Sequence, residues 1–172
     1  MRCLLACLMT TILLTGTAQA FTFASIDGGD IDLDDWRGQP VLVVNTASLC
    51  AFTYQYDGIQ ALYDRYRDDG LVVLTVPSAD FRQELASGAE VKEFCEINFG
   101  LDVPMTTIQP VIGANAHPFY KWVKTQTGFA PRWNFNKVLL APDGTVAGTY
   151  GSNIRPSSRT ITTEIEQLLA SK

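Results

Sequence analysis

Histidine and cysteine are scarce in this sequence of 172 residues, which has one histidine, His117, and four cysteines. Two of the cysteines, Cys3 and Cys7, lie in the first twenty residues. One histidine and two separated cysteines make a poor metal site, so we expect no metal and no cofactor. His117 could pair with a cysteine as in a protease. Its place before Pro118 at a predicted helix start instead favours a local structural role.

Basic residues are in the minority, with 13 Lys and Arg against 18 Asp and Glu and a formal net charge of −5. An acidic surface argues against a nucleic-acid partner. The chain also shows no internal repeat, no low-complexity tract and no sign of a second domain. We therefore expect one domain with no nucleic-acid function.

Apolar runs long enough to span a membrane are missing as well. The apolar stretch at residues 4–14 is too short to cross a bilayer. It follows Arg2 and precedes Ala18-Gln19-Ala20, which is the pattern of a secretory signal cut after Ala20. Cleavage would leave 152 residues with a formal charge of −6, since only Arg2 is lost. We expect a periplasmic or secreted protein without stable membrane insertion.

Two cysteines would remain after cleavage, Cys50 and Cys95. In an exported chain such a pair is either a structural disulfide or a redox pair. The Cys-x-x-Cys motif of thioredoxin-like reductases and oxidases is absent, because Thr53 occupies the place of the second cysteine. The choice between a static and a reactive pair decides the function.

The apolar patterns predict alternating strands and helices. In chain order they are a strand pair within residues 21–36, a buried strand at 41–45, a helix at 56–69, a buried strand at 71–76, a helix at about 89–98, a third helix that Asn115 could cap, strands at 138–141 and 145–150, and a closing helix from Ser157 or Ser158.

Cys50 follows the first buried strand and precedes a helix, whose N-terminus would favour a thiolate. The strand–helix–strand order predicts parallel neighbours joined by a right-handed crossover. Ligands gather beyond the carboxyl ends of such strands, where Cys50 and residues 78–84 should meet.

The element order is that of a thioredoxin-like α/β fold, with a central mixed sheet, helices on both faces and an N-terminal strand pair. Residues 44–53, Val-Asn-Thr-Ala-Ser-Leu-Cys-Ala-Phe-Thr, resemble the active-site segment of glutathione peroxidases, which carry cysteine or selenocysteine at the place of Cys50. Residues 70–74, 116–121 and 133–137 are also similar to family stretches, in the same order. The resemblance covers residues 21 to the C-terminus. A peroxiredoxin would instead have Thr at the place of Ala47.

The resemblance places the family's catalytic group on Cys50, Gln83, Trp133 and Asn134. Two amides and an indole are neutral donors that can favour a thiolate and a departing oxygen without competing as nucleophiles. Near Gln83 the sequence departs from the family pattern, because one residue is missing after Phe81, the family's Pro-Gly turn is gone and Asp80 replaces a neutral amide. If Asp80 lies close to Cys50, its charge would raise the pKa of the thiol.

Cys95 matches the resolving cysteine of family members that use a disulfide relay. A Cys50 sulfenic acid could condense with it, and a thioredoxin-like protein, in preference to glutathione, would then reduce the bond. Its spacing beside Val91 and Phe94 predicts an inward position, so we expect its helix to unwind partly in each cycle. The short segment at residues 125–132 implies a monomer. The alternative is a non-catalytic export-compartment domain with a static disulfide.

Overall fold

A computed structural model describes residues 20–171, so the predicted signal segment, apart from Ala20, lies outside the described residues. The elements follow in the predicted order. They are β1 (Thr22–Ala24), β2 (Asp30–Asp32), a 3₁₀ turn (Leu33–Trp36), β3 (Val41–Thr46), α1 (Gln55–Tyr66), β4 (Val72–Pro77), α2 (Gly88–Phe99), α3 (Pro118–Thr127), β5 (Lys137–Leu140), β6 (Val146–Tyr150) and α4 (Arg159–Ala170).

Four strands form the central sheet in the order β4-β3-β5-β6. β3 and β4 run parallel, as predicted from the helix between them, whereas β3–β5 and β5–β6 are antiparallel. β1 and β2 form a separate antiparallel pair around the Asp27-Gly28-Gly29 turn. The predicted mixed sheet and N-terminal strand pair are both present.

Helices cover both faces of this sheet. Along β3, Leu42 and Val44 pack in one core with α1, α2 and α4, while Val41 and Val43 join α3 and the β1–β2 pair in a second core. Because both faces are covered, β3 and β4 are buried at every position, and their sequences are largely apolar instead of alternating.

Two helix boundaries differ from the sequence prediction by more than one residue. α1 ends at Tyr66 instead of Asp69, and the last residues before Gly70 form turns. α3 is capped by His117 and not by Asn115, because the His117 Nδ1 accepts a hydrogen bond from the Phe119 N–H at 3.3 Å. Pro118 then occupies the first helical turn, as predicted.

Candidate active site

Cys50 lies in the connection between β3 and α1, as predicted, and its side chain is buried. α1 begins at Gln55, five residues further on and one residue before its predicted start, so Cys50 precedes the helix as predicted but lies outside its first turn. The helix dipole falls off within the first turn. A backbone amide of the turn itself contacts the sulfur instead, since the Phe52 N–H donates to Sγ at 3.5 Å.

Gln83 is brought to the Cys50 turn even though its loop is one residue short. The Leu49 N–H, one residue before Cys50, donates to the Gln83 carbonyl at 2.8 Å. The Gln83 side chain meets that of Asn134, whose Nδ2 donates to Oε1 at 3.0 Å. The structure therefore brings together the two amides that sequence reasoning assigned to one site, next to the turn that carries Cys50.

Two asparagines that the sequence analysis did not single out hold the Trp133–Asn134 segment in place. The Trp133 carbonyl accepts from Asn45 Nδ2 at 3.0 Å and from Asn136 Nδ2 at 2.6 Å. Asn45 Oδ1 in turn accepts from the Asn136 N–H at 3.0 Å. The available signal was a polar residue, Asn45, inside an otherwise apolar buried strand.

Backbone strain lies directly beside both site amides. Arg82, before Gln83, and Phe135, after Asn134, have φ values of +58° and +60°, the only positive ones among non-glycine residues of the described chain. Side chains rarely occupy this left-handed region, and residues held there cluster at functional sites. The two strained positions indicate that the orientation of the amides is fixed at a cost to the fold.

Trp133 lies at the surface, with 40% of its area exposed and its ring against Phe81 at a centroid distance of 5.4 Å. A groove of about 760 Å³ opens beside it. Apolar groups from Phe52, Phe129 and Pro131 line this groove together with Arg132. The exposed indole is thus in reach of a molecule that arrives from solvent.

Asp80 has partners of its own in the segment before α3. Its Oδ2 accepts hydrogen bonds from the N–H groups of Val111 and Ile112 at 2.6 and 3.0 Å. The carboxylate thus joins two loops. No described hydrogen bond or ion pair connects Asp80 with the Cys50 turn.

Cys95 lies on the inner face of α2 and is fully buried, as its spacing predicted. Burial raises the pKa of its thiol to about 11, although the neighbouring Tyr56 hydroxyl acts in the opposite direction. Cys50 and Cys95 are both free thiols, and their side chains belong to the same core. The static disulfide of the alternative interpretation is not present in this state.

His117 fulfils a structural role, as expected. Besides capping α3, its ring stacks on Phe23 at 3.8 Å and its Nε2 pairs with the Thr22 carbonyl at 3.0 Å. Burial lowers the pKa of the imidazole. Among residues 20–171, no cluster of His, Cys, Asp and Glu side chains could hold a metal ion. In the same part of the chain, no helix has the length and apolar character needed to cross a membrane.

The sequence is similar to a group of peroxide-reducing proteins. A family model described as glutathione peroxidase matches residues 18–124. The hydroperoxy fatty acid reductase of Synechocystis sp. is 39% identical over 164 residues, which cover 89% of this chain and 96% of that protein. A glutathione peroxidase-like peroxiredoxin of Saccharomyces cerevisiae is 38% identical over 160 residues, covering 88% and 97%.

Solved structures agree with these similarities. The crystal structure of Trgpx in apo form superposes with a TM-score of 0.71 and 29% identity, covering 89% of this chain and 97% of that one. A thiol:disulfide interchange protein of the thioredoxin family from Chlorobium tepidum gives a TM-score of 0.62 at 14% identity, covering 88% and 94%. The second likeness concerns the fold alone, which is the thioredoxin-like α/β fold predicted from the element order.

Proposed function

Because the chain belongs to the glutathione peroxidase family, we propose that it is a thiol-dependent peroxidase that reduces hydrogen peroxide or organic hydroperoxides at Cys50. The observation that carries this proposal is the hydrogen bond between Asn134 and Gln83 beside the Cys50 turn. It joins two distant segments beside the turn that carries Cys50, the proposed nucleophile.

In the first step, the Cys50 thiolate attacks the outer oxygen of the hydroperoxide. The O–O bond breaks, Cys50 becomes a sulfenic acid, and the departing oxygen leaves as water or an alcohol after taking up a proton. Gln83, Asn134 and Trp133 supply N–H donors for the negative charge that develops on that oxygen. Asn45 and Asn136 donate hydrogen bonds to the Trp133 carbonyl and so hold Trp133 and Asn134 in position.

In the second step, the Cys95 thiol condenses with the sulfenic acid and water is released. Cys95 faces the core on an intact helix, and a disulfide requires Cα atoms within about 7 Å. We therefore expect α2 to unwind partly. An external dithiol then reduces the bond, and because Cys95 supplies an internal disulfide, a thioredoxin-like protein is expected to be favoured over glutathione.

The groove beside Trp133 suits an organic hydroperoxide. Its aromatic and proline side chains can cover an alkyl chain, while Arg132 at its wall offers a cation to a carboxylate or other anion. The relative named a hydroperoxy fatty acid reductase is consistent with such a substrate class. Hydrogen peroxide, which needs no groove, remains a second substrate of the same centre.

Export and a monomeric state complete the proposal. The signal pattern that ends at Ala20 supports a periplasmic or secreted enzyme that protects this compartment against oxidative stress. Only residues 128–132 separate α3 from Trp133, and this short connection supports a monomer when compared with the tetrameric family members.

Peroxide turnover driven by thioredoxin, and separately by glutathione, tests the proposal. We expect the protein to consume peroxide faster with thioredoxin, Cys50→Ser to abolish consumption, and Cys95→Ser to lose most of the thioredoxin-driven turnover. If the reduced protein consumes no peroxide, or if Cys50→Ser consumes it equally well, the proposal is wrong and the protein is a non-catalytic domain of the same fold. Unchanged thioredoxin-driven turnover in Cys95→Ser would show that turnover does not pass through a Cys50–Cys95 disulfide.

A further inference from the structure

The loop that follows β6, residues 151–154, contacts the candidate site but has no role in the steps above, and we call it the Ser152 loop. The Ser152 hydroxyl donates to the Asn134 carbonyl at 2.6 Å and accepts a hydrogen bond from Asn136 Nδ2 at 3.0 Å. In the described part of the chain, no other group donates to the Asn134 carbonyl. A hydroxyl 18 residues further along the chain therefore holds the backbone of a site amide.

The Asn134 carbonyl belongs to the peptide that joins Asn134 to Phe135, where the backbone is strained. Phe135 has a φ of +60°, in the left-handed region that non-glycine residues rarely adopt. Such a conformation persists only where the surroundings over-determine it. The preceding carbonyl, that of Trp133, is already fixed by two side-chain amides. The Ser152 hydroxyl fixes the next peptide, and together these bonds set the direction in which the Asn134 side chain leaves the backbone.

The direction of the Asn134 side chain matters for the rest of the site. This side chain is fully buried, and its Nδ2 donates to Gln83 Oε1 at 3.0 Å. Turning Asn134 would move this hydrogen bond and with it the Gln83 amide beside the Cys50 turn. A displacement of about 1 Å in a reacting geometry can slow a reaction about 100-fold. A bond that fixes the Asn134 peptide can therefore affect the rate of the chemical step.

The Ser152 loop is itself anchored in the core. The Ser152 carbonyl accepts from Gln55 Nε2 at 2.7 Å, and Gln55 Oε1 accepts from Lys137 Nζ at 2.6 Å. Lys137 also donates to the Ile154 carbonyl of the same loop at 2.6 Å. Gln55 begins α1 and Lys137 begins β5, and both side chains are buried. The loop is therefore fixed against the two elements that follow the site segments.

We propose that Ser152 is a positioning residue of the peroxidase centre, which holds the Asn134–Phe135 peptide and so aims the Asn134 amide. The inference rests on the peroxidase function proposed above. Ser152 takes no part in bond making or proton transfer, because it acts through Asn134. Without the hydroxyl, this peptide is free to turn, and the N–H donors of the site then stabilise the departing oxygen less well.

The test must separate positioning from substrate contact, because Ser152 also lines the groove beside Trp133. Hydrogen peroxide is the first probe, since it needs no groove, and cumene hydroperoxide is the second. Stopped-flow measurement of the first turnover reports the Cys50 step alone. Circular dichroism at the assay temperature checks that each variant is folded.

We expect Ser152→Ala to slow the first turnover with hydrogen peroxide about ten-fold, because the Asn134 amide is misplaced but still present. Ser152→Thr, which keeps the hydroxyl, should recover most of the rate. An unchanged rate in Ser152→Ala, or a Thr variant as slow as the Ala variant, overturns the proposal. A loss confined to cumene hydroperoxide overturns it too, since Ser152 would then be only a groove contact.

A double variant gives a result that an independent structural role would not produce. Since Ser152 acts through Asn134, Ser152→Ala should slow the first turnover less than about two-fold in a protein that already carries Asn134→Ala. Equal losses in the two backgrounds would show that Ser152 acts by another route, which contradicts the proposal.

Ser157→Ala is the matched control, because it makes the same chemical change at an exposed position between β6 and α4. Its first turnover should keep the original rate, and a loss equal to that of Ser152→Ala would contradict a specific role for the Ser152 hydroxyl. If even the unaltered protein consumes no peroxide, the peroxidase proposal fails. If the unaltered protein and Ser152→Ala are equally fast, only the role of Ser152 fails.

Discussion

At the scale of single residues, the candidate site contains neutral side-chain amides, and further side-chain amides hold them in position through hydrogen bonds. Asn134 donates to Gln83, while Asn45 and Asn136 hold the neighbouring Trp133 carbonyl. Neutral donors suit this chemistry because they stabilise developing negative charge and bring no fixed charge of their own. The left-handed backbone at Phe135 shows that the fold tolerates strain to aim Asn134.

Replacing Asn134 should therefore affect the chemical step more than the fold. We expect Asn134→Ala to slow peroxide consumption about 100-fold, the order of loss seen when one oxyanion donor is removed. Stopped-flow measurement of the first turnover checks this. Asn115→Ala, which removes an exposed amide in the loop before α3, is the control. If Asn134→Ala leaves the rate of the first turnover unchanged, this amide does not stabilise the departing oxygen.

The motifs predicted Cys50, Trp133 and Asn134 because those residues lie in segments that resemble family stretches. Gln83 was predicted from a segment that departs from the family pattern but keeps a glutamine that fits the catalytic one. Asn45 and Asn136 escaped the sequence analysis for a physical reason: each makes a contact with a residue far away in the chain, 88 residues for Asn45 with Trp133 and 91 residues for Asn136 with Asn45. No local pattern encodes such contacts. The backbone partners of Asp80, Val111 and Ile112, likewise lie in another loop, 31 and 32 residues away.

At the scale of elements, α2 decides how readily Cys95 can reach Cys50. Its N-terminus carries a complete capping box, in which the Glu90 N–H donates to Ser87 Oγ and the Ser87 N–H donates to Glu90. Its C-terminus ends at Gly100 in the left-handed conformation. Both caps stabilise the helical state, which holds Cys95 in the core.

Weakening the cap should accelerate the opening of α2. Ser87→Ala costs about 1 kcal/mol at an N-cap, so we expect disulfide formation to become up to about five-fold faster when opening limits the rate. Gly88→Ala should slow disulfide formation, because alanine favours the helical state more than glycine does. The new methyl group would make only an ordinary contact with Ile26, at 3.5 Å. The rate of disulfide formation in both variants is measured by quenching the reaction with an alkylating reagent at successive times after adding one equivalent of hydrogen peroxide, followed by mass analysis. Equal rates in all three proteins would show that α2 does not open in the limiting step.

The sequence predicted every helix and strand of this fold, but not all of their ends. Periodic apolar positions and Gly100 located α2 to within one residue at each end. The start of α3 was missed because an imidazole can accept a capping hydrogen bond, whereas the expected Asn115 lies outside the helix. α1 starts within one residue of its predicted start, but its C-terminal end was missed because residues 67–69 form turns before Gly70.

At the scale of the whole molecule, Lys137 joins three parts of the fold. This residue of β5 is fully buried, and its Nζ donates to Gln55 Oε1 of α1 and to the Ile154 carbonyl before α4, each at 2.6 Å. Burial lowers the pKa of Lys137 to about 7. A lysine in a strand pattern gives no hint of such a position, because the core that surrounds it is assembled from distant segments.

Stability should depend on pH through this lysine. Between pH 7 and 9 the unfolded chain keeps the proton and the folded chain releases it, so a rise in pH stabilises the fold; below about pH 7 both states are protonated and the effect ends. Relative to Lys137→Met, the protein should gain roughly 2 kcal/mol in free energy of unfolding between pH 7 and 9. Urea titrations at both pH values check this, and parallel changes in the two proteins would contradict it.

The most direct test of the account is the covalent state of the protein after one equivalent of peroxide. With Cys3 and Cys7 replaced by serine, we predict a product that is lighter by two hydrogens, has no alkylatable thiol and carries a Cys50–Cys95 disulfide by peptide mapping. Cys95→Ser should instead yield a Cys50 sulfenic acid that a dimedone probe captures. Two free thiols and unconsumed peroxide after the reaction time would contradict the central claim.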